Sequence, residues 1–397
     1  MAKKAANDYE YCGGGMFEEG DGKEVKHSNP KLKYTDVDQD TKDFASMLVD
    51  DEVKFDLTSM VKMDKEIKKT LVSCSINDIR FLVDSYYQMQ DLRVNLGGKL
   101  RSIEQGKAQG AAHVSADGKA KAEVLQWLYN NMLGMENEIK KALDKWGDNN
   151  EVSRWAKQVM GIGPVISAGL VSYFDITKAP SVSHFYSFCG LNDNNDPWLG
   201  REKAKTLVMK YCQNPIVTNE ELVQISNDPD CARSVAKLKR YAYDEKKDKY
   251  TREALIKGLA MPPFNTGLKV LLWKLGESFV KVSNKDKSLY GRIYKERKAL
   301  ETQRNEAGEF AEQAAEALRK KNYGKGTDAY AAYSVGKLPP AHIQARSKRY
   351  AIKLFVSHLF EEMWRVEYGT PAPRAYVFEH LGHVDVIEPE VPFTREV

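Results

Sequence analysis

The sequence predicts a mainly α-helical protein, in which a helical hairpin or coiled-coil arm is followed by a helix-hairpin-helix domain and further carboxy-terminal helices. Three observations predict it. Two long segments, Ile76 to Ile103 and Lys119 to Trp146, carry apolar residues at the three- and four-residue spacing of one helix face. Between Trp155 and Phe174 the chain reads WAKQVMGIGPVISAGLVSYF, two apolar stretches joined by Gly161-Ile162-Gly163 and Pro164. Phe264 to Val282 and the segment after Pro339-Pro340 repeat the helical spacing with strongly apolar faces.

Length, charge and cysteines set the bounds. The 397 residues have room for two or three domains and a sizeable core. A formal charge of +4 permits a nucleic-acid partner without demanding one, so the distribution of basic residues matters more than their total. Cys12, Cys74, Cys189, Cys212 and Cys231 are scattered, with no zinc-type spacing and no disulfide framework, which fits a reducing compartment. No leader peptide is expected at the amino terminus and no segment has the unbroken apolar run of a membrane span, so the expectation is a cytoplasmic protein that does not engage a membrane.

Residues 1–43, rich in Gly, Asp, Lys and Asn, are expected to form a mobile polar tail. The arm covers 44–148. Its first part holds short apolar groups (Met47, Leu48, Val49; Phe55, Leu57; Met60, Val61) that fit a helix or a small docking element. Ser75 has the character of an N-cap with Asp78 three residues on, and opens the first long helix; a Gly-, Ala- and Ser-loaded break from Gln105 to Gly118 separates it from the second. Two apolar stripes of this length read as a bundle arm, or as a seam for a homo-oligomer.

The helix-hairpin-helix region covers 149–204. Asn149 or Ser153 is expected to cap the helix that ends near Val159. The glycines permit positive φ in a tight turn, and Pro164 suits the first turn of the following helix. Ala168 and Gly169 let the two helices approach. Main-chain N–H groups at Gly161, Ile162, Gly163, Val165 and Ile166, with the positive end of the second helix, can hold a phosphate without reading bases. The same residues also suit an ordinary Gly-Pro turn between core helices. Asp175 is read as the cap of the next turn, Ser183 as the cap of a short helix through HFYSFCGL that ends at Gly190, and NDNNDPWLGREK as a loop.

These residues carry a resemblance. A helical hairpin, then GIGPVISAGLVSYFDI, then Tyr186 to Leu191 (YSFCGL), then a glycine-containing loop with basic residues after it, resembles the carboxy-terminal half of DEDD-type insertion-sequence transposases, relatives of the Piv DNA invertase and the RNA-guided bridge recombinases. Asn265-Thr266-Gly267-Leu268-Lys269 is similar to that family's downstream helix start. The likeness runs from about Ile76 to Leu275, and more loosely to Trp364. It implies a DNA partner, with structured RNA as the alternative. It also implies a nuclease-like domain with acidic metal ligands and a catalytic serine beside a loop glycine. The residues before Ile76 are too few and too polar for the first. Asp196-Pro197-Trp198-Leu199-Gly200 holds no serine for the second, and Ser187 and Ser226 lie outside the motif.

Residues 205–263 read as a basic inserted segment relative to the family. Arg233, Lys237, Lys239, Arg240, Lys246, Lys247, Lys249 and Arg252 interleave with Tyr241, Tyr243 and Tyr250, a composition suited to phosphates and stacking, diluted by Asp244, Glu245 and Asp248. The carboxy-terminal helical part covers 264–369. Within it Tyr290 to Lys321 reads as one charged helix with a thin apolar stripe, a solvent-exposed arm or a second coiled-coil element, Tyr323 to Lys337 as a loop, and the helix after Pro340 has a basic first half with Arg346, Lys348, Arg349 and Lys353. The tail, 370–397, is expected to pack loosely.

Other chemistry is not supported. His380 and His383 lack further zinc ligands, no P-loop occurs, and no nucleophile has a recognisable base partner, so no catalytic residue, metal or cofactor is expected. The expectation is a DNA-binding, transposase-like protein that grips the backbone through Lys157, Gly161, Ile162, Gly163, Val165 and Ile166, with Lys203, Lys205, Arg233, Lys237, Lys239, Arg240, Lys246 and Lys247 around them. An active recombinase and a non-catalytic assembly protein that works through its arm are the alternatives.

Overall fold

Several helices in the computed structural model start at a side-chain cap, among them those that follow Asn150, Thr218, Thr251, Asn265 and Ser288. The structure describes residues 9–12, 16–19, 63, 65–104, 118–192, 198–231, 233–374 and 386–395. The expectations for the rest of the 1–43 tail, the apolar groups of 44–62, most of the 105–118 break, and His380 and His383 lie outside the described residues. The chain divides into two units: residues 1–68 with 86–138, and residues 69–85 with 139–397.

In the first unit, β1 (Tyr9–Cys12) and β2 (Met16–Glu19) pair antiparallel, with Tyr9 opposite Glu19. The unit also holds the middle and far parts of α2 (Ile76–Glu104) and the first part of α3 (Gly118–Gly147). Arg93 Nη2 donates to Glu136 Oε2 at 3.1 Å, and a β-carbon at Gly97 would lie 3.2 Å from the Tyr129 ring. Rising numbers on one helix meet falling numbers on the other, as in an antiparallel pair.

The second unit begins within α1 (Lys65–Thr70), at Lys69, and continues into a 3-10 turn at Leu71–Ser73. Ser75 caps α2 as expected: its N–H donates to Asp78 Oδ2 at 2.9 Å and the Asp78 N–H returns to Ser75 Oγ at 3.3 Å. α4 (Glu151–Gln158) is capped by neither Asn149 nor Ser153. Asn150 takes the role, its side chain accepting from the Ser153 N–H at 2.9 Å, because the chain turns extended there. α5 (Pro164–Tyr173) follows, and Asp175 accepts from the Thr177 N–H to start the 3-10 turn Ile176–Lys178, as the sequence predicts. α6 (Val182–Phe188) starts two residues earlier than expected, with Ser181 rather than Ser183 at its N-cap.

Residues 200–260 form a small helical cluster with its own core, a finding the basic composition concealed. α7 (Gly200–Tyr211), α8 (Asn219–Ser226), α9 (Val235–Ala242) and α10 (Arg252–Ala260) bury Leu207, Val208, Leu222, Ile225, Leu238, Leu255 and Leu259 together. The short strands β3 (Tyr243–Asp244) and β4 (Lys249–Tyr250) join α9 to α10.

The larger core forms around α15 (Pro340–Tyr368), which packs on α4, α6, α11 (Thr266–Val282) and α12 (Leu289–Glu306). Aromatic rings fill it: Trp155 and Phe355 have centroids 6.1 Å apart, Phe279 and Tyr290 5.0 Å, Phe174 and Phe185 4.1 Å. The expected single helix over 290–321, and its reading as an exposed arm, are corrected. A turn at Gly308 separates α12 from α13 (Ala311–Lys320), and α12 buries Tyr290, Ile293, Tyr294 and Glu301 against α15. The expected loop at 323–337 contains α14 (Asp328–Ser334), capped by Thr327. Among the described residues Cys74, Cys189 and Cys212 are free thiols. Among the described residues no helix is long and apolar enough to cross a membrane.

Candidate nucleic-acid interface

The hairpin between α4 and α5 closes on itself before it meets anything else. Val159 leaves α4 in extended conformation, and the Ile162 N–H donates back to Val159 O at 3.0 Å. Gly161 has φ +95°, and a β-carbon there would lie 3.1 Å from Ser278 Oγ and 3.2 Å from Val282 Cγ2. The backbone therefore favours glycine, and a β-carbon would also press on side chains of α11. Gly163 differs: it is extended at φ −101°, with open space where a β-carbon would stand. The expectation of positive φ at both glycines is corrected to Gly161 alone. Pro164 occupies the first turn of α5 as predicted. Ser153 Oγ donates to Ser167 Oγ at 3.2 Å between the helices, and Gly169 lets Leu271 approach to 2.7 Å from where a β-carbon would be.

Ile162 and Val165 turn their side chains into the core. What the hairpin offers outward is main chain, with Gly161, Gly163, Pro164 and Ile166 half-buried. Among the described residues, the N–H groups of Val165 and Ile166 take no acceptor, as the first turn of a helix leaves them. The Met160 N–H, by contrast, is taken. It donates to Glu390 Oε1 at 2.6 Å, while Glu390 Oε2 accepts from the Leu289 N–H at 2.8 Å, so one carboxylate joins the hairpin to the start of α12. The expectation of a loosely packed tail is corrected here. Trp155 Nε1 donates to Val391 O at 3.1 Å, Phe393 stacks on Trp155, and the Thr394 N–H donates to Glu362 at 3.0 Å.

The predicted cations fare unequally. Lys157 is committed to Asp144 and Asp148, at 2.8 and 2.6 Å, where it fastens α4 to the end of α3 and holds the Asp148 carboxyl below its usual range. Arg233 is corrected: only 3% exposed, it lies inside the 200–260 cluster, with its guanidinium 5.9 Å from the centre of the Tyr241 ring. Lys203 and Lys205 are exposed on α7, Lys237 and Lys239 half-buried on α9, Arg240 exposed near its end, and Lys246 and Lys247 exposed in the β3–β4 turn. Lys247 stands 3.7 Å from both Asp244 and Glu253. These seven cations share the small cluster, whereas the hairpin stands on the larger core. Lys210 and Tyr211 meet Asp228 at 2.9 and 2.7 Å, and Lys210 holds that carboxyl down to about 2.

A cleft of about 460 Å³ escaped the sequence reading. It opens between the end of α6, the approach to α7, and α11 and α15, and its lining includes Asn192, Trp198, Phe264, Lys269, Trp273, Lys348 and Arg349. Trp198 is fixed by its Nε1–H to Ala260 O at 2.9 Å, and a β-carbon at Gly190 would lie 2.8 Å from Phe264. Cys189 also lines it, and burial pushes that thiol up to about 12, which favours its neutral form. The sequence showed Arg349 as one of several basic residues and Trp273 as one apolar residue among many. Nothing local marked them as facing one space. No group of His, Cys, Asp and Glu suited to a metal occurs among the described residues. Comparison with protein-family models, with curated proteins and with solved structures finds no match.

Proposed function

We propose that the protein binds DNA through the backbone, as a transposase-like protein without strand-transfer chemistry of its own. One observation carries the reading: the sequence Gly161-Ile162-Gly163-Pro164 folds into a tight hairpin whose following helix begins with the N–H groups of Val165 and Ile166 unpartnered among the described residues. Such a helix start attracts phosphate through its N–H groups and its dipole. Exposed Lys203, Lys205, Arg240 and Lys246 add the long-range attraction that draws a polyanion in. Contact of this kind carries no base specificity.

Fluorescence anisotropy with blunt duplex DNA across a salt series tests it. Affinity is expected to fall steeply with salt, and a Lys203→Ala, Lys205→Ala, Lys246→Ala variant is expected to bind more weakly with a slope flatter by about 1–3, since each phosphate contact contributes about −0.9. Absence of duplex binding at low salt sinks the proposal. A second reading, self-association through the arm, has its own observation in the exposed Leu92, Val94 and Val124 of α2 and α3. Sedimentation equilibrium separates the two, because a Val94→Glu, Val124→Glu variant dissociates only in the second.

A further inference from the structure

The cleft between α6, α11 and α15 combines two features that one ligand class satisfies together. Its aromatic wall is Trp198, Phe264 and Trp273, of which Trp273 is 56% exposed, off the face by which α11 buries Leu268, Leu272, Leu275 and Phe279. An indole left that open within a concave site offers a planar stacking surface. Its other wall is cationic. Lys348 lies 5.5 Å from the Trp273 ring centre and is neutralised by an ion pair with Glu277. Lys269 lies 3.8 Å from the Phe264 ring centre. Arg349, one residue beyond Lys348, is exposed on the rim and has no hydrogen-bond or ion-pair partner among the described residues. Below them Leu272 and Ile352 form an apolar floor, and Asn192, bonded to Lys353 Nζ at 3.2 Å, supplies an amide at the mouth.

We infer that this cleft is a binding site for a single nucleotide, its base stacked on Trp273 and its phosphate at the Arg349 guanidinium. Volume and charge both select this ligand. About 460 Å³ falls within the roughly 300–1,000 Å³ of sites that enclose one small molecule, so a nucleotide enters and a duplex does not. A carboxylate metabolite would use the cations and leave the indole bare. An uncharged aromatic would stack and leave Arg349 unpaired. A base carrying a phosphate uses both, and the guanidinium fork matches phosphate oxygens in pairs. The nucleotide is either free or the unpaired end of a strand, and the chemistry of the two is shared. The site is separate from the hairpin, so it stands or falls independently of backbone binding there.

The test uses the full chain with two probes, thymidine monophosphate and a short fluorescein-labelled oligothymidylate, read by calorimetry and by anisotropy. Trp273→Ala and Arg349→Ala alter exposed side chains and preserve the fold. Each is expected to weaken binding about tenfold, the cost of losing one stacked base or one charged contact, while Arg319→Ala, an exposed cation on α13, leaves it unchanged. Full competition by the monophosphate identifies a free nucleotide as sufficient. Binding of the oligonucleotide alone, with the same two losses, identifies the strand as the occupant; both results support the site. Binding of neither probe at millimolar concentration overturns it. So does binding that is indifferent to both variants, or a loss with Arg349→Ala alone, which would make the cleft a plain anion site. Blunt duplex binding is expected to be unaffected by Trp273→Ala, so failure of the cleft and failure of the hairpin are told apart.

Discussion

Gly161 and Gly163 stand two residues apart in the same hairpin and have different physical roles. Gly161 is left-handed and pressed against Ser278 and Val282; Gly163 is extended and unobstructed. Gly161→Ala is therefore expected to lose about 1–2 kcal/mol from its backbone conformation alone, with more from the contact, whereas Gly163→Ala changes stability by less than about 0.5 kcal/mol. Urea denaturation midpoints of the two variants check it, and equal losses would show that the turn is held by something other than Gly161. The motif was legible in the sequence, but the division of labour inside it was not. Which glycine must be glycine depends on α11, a helix far along the chain. Arg233 teaches the same lesson in reverse: a basic run marks attraction to phosphate only if its members face water, and this member is buried.

Helix caps were the most readable elements, because a cap is decided within three residues. Ser75 with Asp78, Asp175 with Thr177 and Pro164 stand where the sequence put them, and the Asn150 and Ser181 caps differ from expectation by one or two positions. Element pairing was not readable. The charged composition of α12 concealed Glu301, only 1% exposed, which accepts from Arg346 of α15 at 3.0 Å and meets Arg297 of its own helix at 2.5 Å. Burial works to raise that carboxyl, and Arg346 and Arg297 outweigh it and hold it below its usual range. Glu301→Ala leaves these guanidinium groups facing each other over an apolar seam. A loss of about 3 kcal/mol is expected, with a smaller loss for Glu301→Gln, which keeps the shape and an acceptor. Calorimetric unfolding of the two variants measures the difference, and an unperturbed Glu301→Ala would show that α12 and α15 are joined by aromatic packing alone.

The second unit as a whole carries a pH dependence that follows from buried His358 and half-buried His342. His358 lies between Tyr290 Oη at 2.8 Å and Ile387 O at 2.8 Å, and burial lowers its pKa; burial also lowers that of His342, with Arg346 and Arg349 nearby. The folded values lie below the unfolded 6.5, so as pH falls through 6.5 the unfolded chain takes up protons that the folded chain refuses. Stability is full above pH 6.5 and declines below it, by at most about 1.4 kcal/mol per pH unit for His358. Unfolding free energies between pH 7.5 and 5.5 are expected to show this slope, and His358→Gln to flatten it; a flat profile in the unmutated protein would contradict the assignment.

Glu390 gives the same unit a particular history. Its carboxylate bonds to Met160, 230 residues earlier, and to Leu289, 101 residues earlier. A chain emerging from the ribosome with α4, α5 and α12 already coiled still has both of those amides exposed to water. Contacts this distant in sequence form late, because the intervening chain must first be closed into a loop. The hairpin that the sequence announces so early is thus among the last parts of the unit to be finished, and its final hydrogen bond is made only after α15 has been synthesised and the segment beyond it has turned back.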